Sequence, residues 1–152
     1  MKYRTKNYTL RQEPGVYYVW VGGSCDYNRK ERFGGGASVI EQEQKIIERY
    51  TVTDIHTTEY RMLLAVIIHA LETLPEKSVI QILTNVAYLQ NFDQPLQPQS
   101  ANPDLIAQCI QLKERHEQVA LKVVPYHKYD RLVELHQIAH EEMNRLRISY
   151  TQ

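Results

Sequence analysis

The order of apolar runs predicts an α/β domain built on one mixed sheet of five strands with helices on both faces. Three strand-like runs precede the first helical one, as in a meander. Two later strand-like runs alternate with helical ones, as in βα units. The strongest helical runs repeat apolar residues every three or four positions, so each has a face to lay on the sheet. At 152 residues the chain has the length of one domain, since single cores run to roughly 100–200 residues, and it can bury a core without disulfides or metal.

Gly15–Val21 ("GVYYVWV") is β-branched and aromatic throughout, as suits a central strand buried on both faces. Gly22–Gly36 then reads as a loop entered through two glycines. "ASVIEQE" and "QKIIERYTV" read as the next two strands, with Glu43-Gln44 at a tight turn between them. Thr57–Leu74 carries Leu63, Leu64, Ile67, Ile68 and Leu71 at helical spacing, with a threonine available as cap and Pro75 beyond the end. Ser78–Thr84 is a short apolar strand, and "NVAYLQNF" a brief helix after it. Asp93–Ala101, rich in proline and glutamine, reads as a linker. Asn102-Pro103 is a cap followed by proline at the first helical position, and that helix should run to about Gln118. "ALKVVPY" is the fifth strand. Asp130–Arg147 closes the fold as an amphipathic helix whose buried face holds Leu132, Leu135, Ile138, Ala139 and Met143. The expected organisation is a polar extension over residues 1–14, one domain over 15–147 and a tail over 148–152.

Eighteen basic side chains equal eighteen acidic ones, so no global basic field draws in nucleic acid or an anionic membrane, and any such contact must be local. Cys25 and Cys109 fit no metal or redox spacing, and reduced thiols in a cytoplasmic protein are the plain expectation. Residues 1–12 lack an apolar stretch of the secretory type, and no uncharged apolar run reaches about 18 residues.

Five short strings in this order resemble type 1 ribonuclease H. "WVGGSCDYN" (Trp20–Asn28) resembles its first strand and substrate loop, usually Y-T-D-G-S-C-x-x-N, and "GGGAS" (Gly34–Ser38) the glycine-rich opening of its second strand. "TTEYRMLLAVIIHAL" is similar to its first helix, "ILTNVAYL" to its fourth strand tip T-D-S-x-Y, and "VVPYH" (Val123–His127) to its fifth strand and histidine loop. The resemblance covers roughly Gly15–Arg145. It implies the ribonuclease H-like fold, a five-stranded mixed sheet with the second strand antiparallel to the rest. It also implies an activity, cleavage of the RNA strand of RNA:DNA hybrids by two magnesium ions about 4 Å apart. Four carboxylates hold those ions, because magnesium demands hard oxygen ligands.

Carried over position by position, the first aspartate falls on Gly22, which offers no ligand, and the helix glutamate on Glu59. A register anchored on the end of the helix places Leu63 there instead. The fourth-strand aspartate falls on Asn85, and the last helix puts His136 at the fourth position, with Glu134 and Asp130 nearby. One carboxylate in place of four cannot balance two dications. No bound metal is therefore expected, with Mg²⁺ or Mn²⁺ the alternative, a single ion held by Glu59, Asn85 and His136. Gly23, Ser24, Cys25 and Asn28 match the loop that lies in the hybrid's minor groove, where A-form duplexes are read by shape and 2′-hydroxyls. Arg29, Lys30 and Arg32 add local positive charge for phosphates, diluted by Asp26 and Glu31. His127 resembles the loop histidine that ferries protons.

Each piece also has a plainer reading. The loop also reads as a solvated hairpin, His127 as a surface residue, and Glu59 as a first-turn acid favoured by the helix dipole. His136 and His140, four apart, have the spacing of a chelating pair but declare no third ligand. The basic, tryptophan-containing helix with which many family members grip DNA is replaced by "QNFDQPLQPQSANPD". The function expected is a catalytically degenerate ribonuclease H-like domain that binds nucleic acid, an RNA:DNA hybrid or RNA, without efficient hydrolysis. The alternatives are an active metal-dependent nuclease in which Asp26, Asp54 or Asp130 joins Glu59, and a protein-protein interaction module.

Overall fold

The computed structural model describes residues 10–92 and 102–151. One sheet runs β3-β2-β1-β4-β5, formed by β1 (Val16–Cys25), β2 (Gly34–Gln42), β3 (Lys45–Asp54), β4 (Val79–Thr84) and β5 (Gln118–Val123). β2 is antiparallel to β1 and β3, while β4 is parallel to β1 and to β5. Helices α1 (Glu59–Thr73), α2 (Pro103–Lys113) and α3 (Asp130–Thr151) and short 3₁₀ turns at Ala87–Asn91 and Tyr126–Lys128 complete the order. The expected mixed sheet, with its antiparallel second strand, is the one formed.

Alternation along β1 sorts its side chains between two cores. Val19 and Val21 pack with Leu63, Leu64, Ile67 and Leu71 of α1 and with Ile106 and Cys109 of α2. Tyr18 and Trp20 face the other way, against Leu132, Leu135 and Ala139 of α3. Thr58 caps α1, its hydroxyl accepting from the Arg61 N–H at 3.1 Å. Polar links pin α3 across the strands. Glu41 of β2 accepts from Trp20 Nε1 and from Arg131, and Glu134 accepts from Arg131 and from Arg49 of β3, both at 3.0 Å.

Several boundaries differ from expectation, each for a visible reason. β1 does not end at Val21: Gly22–Cys25 continue the ladder opposite Gly34–Ala37, so the connecting loop shrinks to residues 26–33. These glycines lie where the helices approach the sheet most closely. A Cβ on Gly35 would collide with the Ala139 carbonyl of α3, and one on Gly36 would sit 2.9 Å from the Met62 carbonyl of α1. Helix α2 stops at Lys113 rather than near Gln118 because Arg115 and His116 are drawn beneath the end of α1. Arg115 donates to the carbonyls of Leu71, Glu72 and Leu74, and His116 Nε2 to that of Leu71. Strand β5 consequently starts two residues early and ends at Val123. Asn102 precedes α2 with φ of 57° and makes no side-chain cap bond; its side-chain Oδ1 accepts from Arg61 instead. Helix α3 runs on to Thr151, into the residues expected as a tail, and Leu10 and Gln12, expected in a polar extension, pack on the domain. The proline- and glutamine-rich stretch 93–101 lies outside the described residues.

Candidate functional site

The ends of β1 and β4, the first turn of α1, the turn after β5 and the second turn of α3 meet around a cavity of about 220 Å³. Its lining is Gly22 and Gly23 of β1, Glu59 of α1, Asn85 and Val86 after β4, Tyr126 after β5 and His136 of α3. The four positions matched in sequence to the metal-binding acids, Gly22, Glu59, Asn85 and His136, are thus brought together in space.

Gly22 lies on the β1 face turned to α3. A Cβ there would stand 3.0 Å from the backbone carbon and the Cβ of Leu135 and 3.1 Å from the His136 nitrogen. The helix backbone rests where a side chain would begin. Glu59, the first residue of α1, is held from two sides: its Oε1 accepts from the Tyr88 hydroxyl at 2.8 Å and its N–H donates to the Tyr27 hydroxyl at 3.0 Å. Burial, then the bond to Glu59, keeps the Tyr88 phenol far above the usual range. Leu63, the other candidate for the helix position, is wholly buried one turn below and belongs to the core. Asn85 and His136 are exposed at the rim, and the His136 ring meets Tyr126 edge-on at 5.9 Å.

The residues matched to the substrate loop do not share one surface. Gly23 lines the cavity. Ser24 is buried under α3, sharing a hydrogen bond with His140 Nδ1 at 3.3 Å, so it is packing between strand and helix rather than a group presented to a duplex. Cys25 donates its thiol to the Thr57 carbonyl, and burial pushes the thiol pKa up. Asn28 is exposed in the β1–β2 loop, its N–H bonded to Asp26. His136 and His140 serve different neighbours, Tyr126 and Ser24, and do not act as a chelating pair. His127 is exposed, packed edge-on to Tyr126 at 4.7 Å, and does not line the cavity. Nor do Asp26, Asp54 or Asp130; Asp26 is engaged by Arg147 at 3.0 Å. Among the described residues no group of three or more His, Cys, Asp or Glu side chains is placed to hold a metal ion.

The sequence motifs gave no sign of the phenols around Glu59: Tyr126 lines the cavity, the hydroxyls of Tyr27 and Tyr88 bond to Glu59, and Tyr60 packs on Tyr88 at 5.0 Å. The one available signal was compositional, eleven tyrosines against two phenylalanines.

The family model for RNase H matches residues 14–137, every strand and helix up to the second turn of α3. The chain belongs to the RNase H family. No curated protein matches it. An RNase H domain is a nucleic-acid fold, and the cavity sits on it at the strand tips where the resemblance put the four acids. Among the described residues no helix is long and apolar enough to cross a membrane.

Proposed function

We propose that this RNase H domain is a catalytically degenerate, cytoplasmic member that binds nucleic acid, an RNA strand or RNA:DNA hybrid, without hydrolysing it efficiently. The observation that carries this reading is the chemical content of the cavity. Among the described residues Glu59 is the one carboxylate that lines it, and it already accepts a phenol. Such a donor set does not suit two magnesium ions. One negative charge faces four positive ones, the amide of Asn85 and the imidazole of His136 add none, and magnesium surrenders its water reluctantly. At Gly22 there is no oxygen and, with the Leu135 backbone 3.0 Å from any added Cβ, little room for one. Binding chemistry is better supplied. Tyrosines offer stacking faces, Asn85 and His136 offer hydrogen bonds, and the exposed Arg29, Lys30 and Arg32 lie in the loop that Tyr27 ties to the start of α1.

Incubation with an end-labelled RNA:DNA hybrid in Mg²⁺ and then Mn²⁺, paired with gel shifts on hybrid, RNA and duplex DNA, tests the proposal. A salt-sensitive shift on RNA or hybrid with intact strands is expected. Robust cleavage abolished by Glu59→Gln would overturn it, as would the lack of any shift.

A further inference from the structure

We infer that the cavity at the strand tips is a pocket for one unpaired guanine base of a single-stranded segment, read by the carboxylate of Glu59. The inference rests on the nucleic-acid-binding reading above and goes further by naming what enters the site. Three polar groups converge on the cavity with no hydrogen-bond partner among the described residues: Oε2 of Glu59, the carboxamide of Asn85 and the ring nitrogens of His136. Tyr126 and Val86 wall the same space, and Tyr88 and Tyr27, 49% and 60% exposed, bond to Glu59 beside it. An aromatic and apolar wall with a few convergent, unsatisfied polar groups is the usual make-up of a small-ligand pocket. Bases taken out of a stack are held in the same way, between flat side chains and by hydrogen bonds to the Watson–Crick edge.

Glu59 decides which base fits. A carboxylate only accepts, so it matches an edge with two adjacent donors, and guanine alone has one, N1–H beside its exocyclic amine. Adenine and cytosine set an acceptor beside their single amine. Uracil flanks its one N–H with two acceptors. Guanine O6, next to N1–H, needs a donor, and the amide of Asn85, which lines the same cavity, is the group assigned to it. Placing a base rather than a phosphate against Glu59 also avoids like-charge repulsion, with the backbone left to pass the Arg29–Arg32 loop. Tyr88 takes one lone pair of Oε1 and so holds the carboxylate in place, leaving Oε2 and the second lone pair of Oε1 for the two donors.

The test is fluorescence anisotropy with two labelled RNA octamers, all-uridine and the same strand with one central guanosine, with a blunt RNA:DNA hybrid alongside. The guanosine strand should bind the protein about tenfold tighter, the discrimination of one good bidentate base contact. Glu59→Gln, which replaces one acceptor by a donor, and Asn85→Asp, which reverses the group facing O6, should each bring the ratio of the two affinities close to one. Circular dichroism melts show that both near-isosteric variants are folded. Equal affinity for the two octamers, or a guanosine preference that survives Glu59→Gln, overturns the pocket. In that case a shift on the hybrid leaves the broader reading standing, whereas no binding to any of the three overturns both.

Discussion

Gly22→Ala adds a single methyl group where the structure says a helix backbone already lies. In an uncrowded strand the change would stabilise by about 0.5–1 kcal/mol, since glycine there has more freedom to lose on folding. Here the new Cβ meets the backbone carbon and Cβ of Leu135 at 3.0 Å and the His136 nitrogen at 3.1 Å. The nearest atoms belong to the main chain of α3, so relief cannot come from turning one side chain. It must come from moving a helix pinned through Arg131 to Glu41 and through Glu134 to Arg49. Overpacking of this kind costs about 1–3 kcal/mol, which more than offsets that gain over most of the range and leaves a net loss of up to about 2.5 kcal/mol. At about 2–4 °C per kcal/mol for a domain of this size, the thermal midpoint should fall by a few degrees. Differential scanning calorimetry measures it directly. Gly35→Ala calibrates the reasoning, because its Cβ would run into the Ala139 carbonyl on the same helix and should cost more. A Gly22→Ala protein more stable than the parent, or a Gly35→Ala protein less perturbed than Gly22→Ala, would refute the claim that α3 occupies the space of the first-strand side chain.

Burial alone would raise the Glu134 carboxyl, but the guanidiniums of Arg49 and Arg131 outweigh it and hold the group below its usual range. A depressed folded pKa means that its stabilisation is present above the unfolded value of 4.5 and is lost as the pH falls through the folded one. The melting-point gap between the parent and Glu134→Gln should therefore be constant near neutrality and close as the pH drops below that value; with Glu134 and Arg49 well exposed, the corresponding stability difference should stay under about 1 kcal/mol. Arg115→Ala removes the donor to three carbonyls at the end of α1 and should cost about 1.5–3 kcal/mol, read from urea midpoints at an unchanged m-value.

The fold was legible because its signals are periodic. Leu63, Leu64, Ile67, Ile68 and Leu71 announce α1, and the proline and threonine at its two ends announce its limits. The glycines were harder, because a strand and a loop use them alike: Gly22–Cys25 read as a loop entry but form a ladder, and what calls for glycine there is two helices pressed onto opposite faces. The end of α2 was hidden for a different reason. The run to Gln118 looks helical locally, and only the distant carbonyls of α1, which Arg115 and His116 reach, end it earlier. At the site the motif strings placed Gly22, Glu59, Asn85 and His136 around one point, yet could not show that Ser24 turns under α3 or that three phenols gather near Glu59. Those facts depend on which strand face each residue takes and on contacts such as Tyr88 to Glu59, 29 positions apart in the chain.

The backbone at Gly22 and the chemistry at Asn85 also bear differently on any attempt to restore acids to this cavity. Asn85 is exposed at the rim, so Asn85→Asp changes charge with little change in packing. Gly22→Asp must first push back the turn of α3 that carries His136, the residue standing at the fourth acid position. The two positions are therefore mechanically linked: an aspartate at 22 displaces the very backbone from which a restored acid at 136 would have to reach. Silence from a Gly22→Asp, Asn85→Asp double variant in Mg²⁺ would then report a displaced helix as readily as an incomplete charge set. Asn85→Asp alone keeps α3 in place and isolates the electrostatic question, because it adds a carboxylate to the cavity beside that of Glu59 without asking the fold to move.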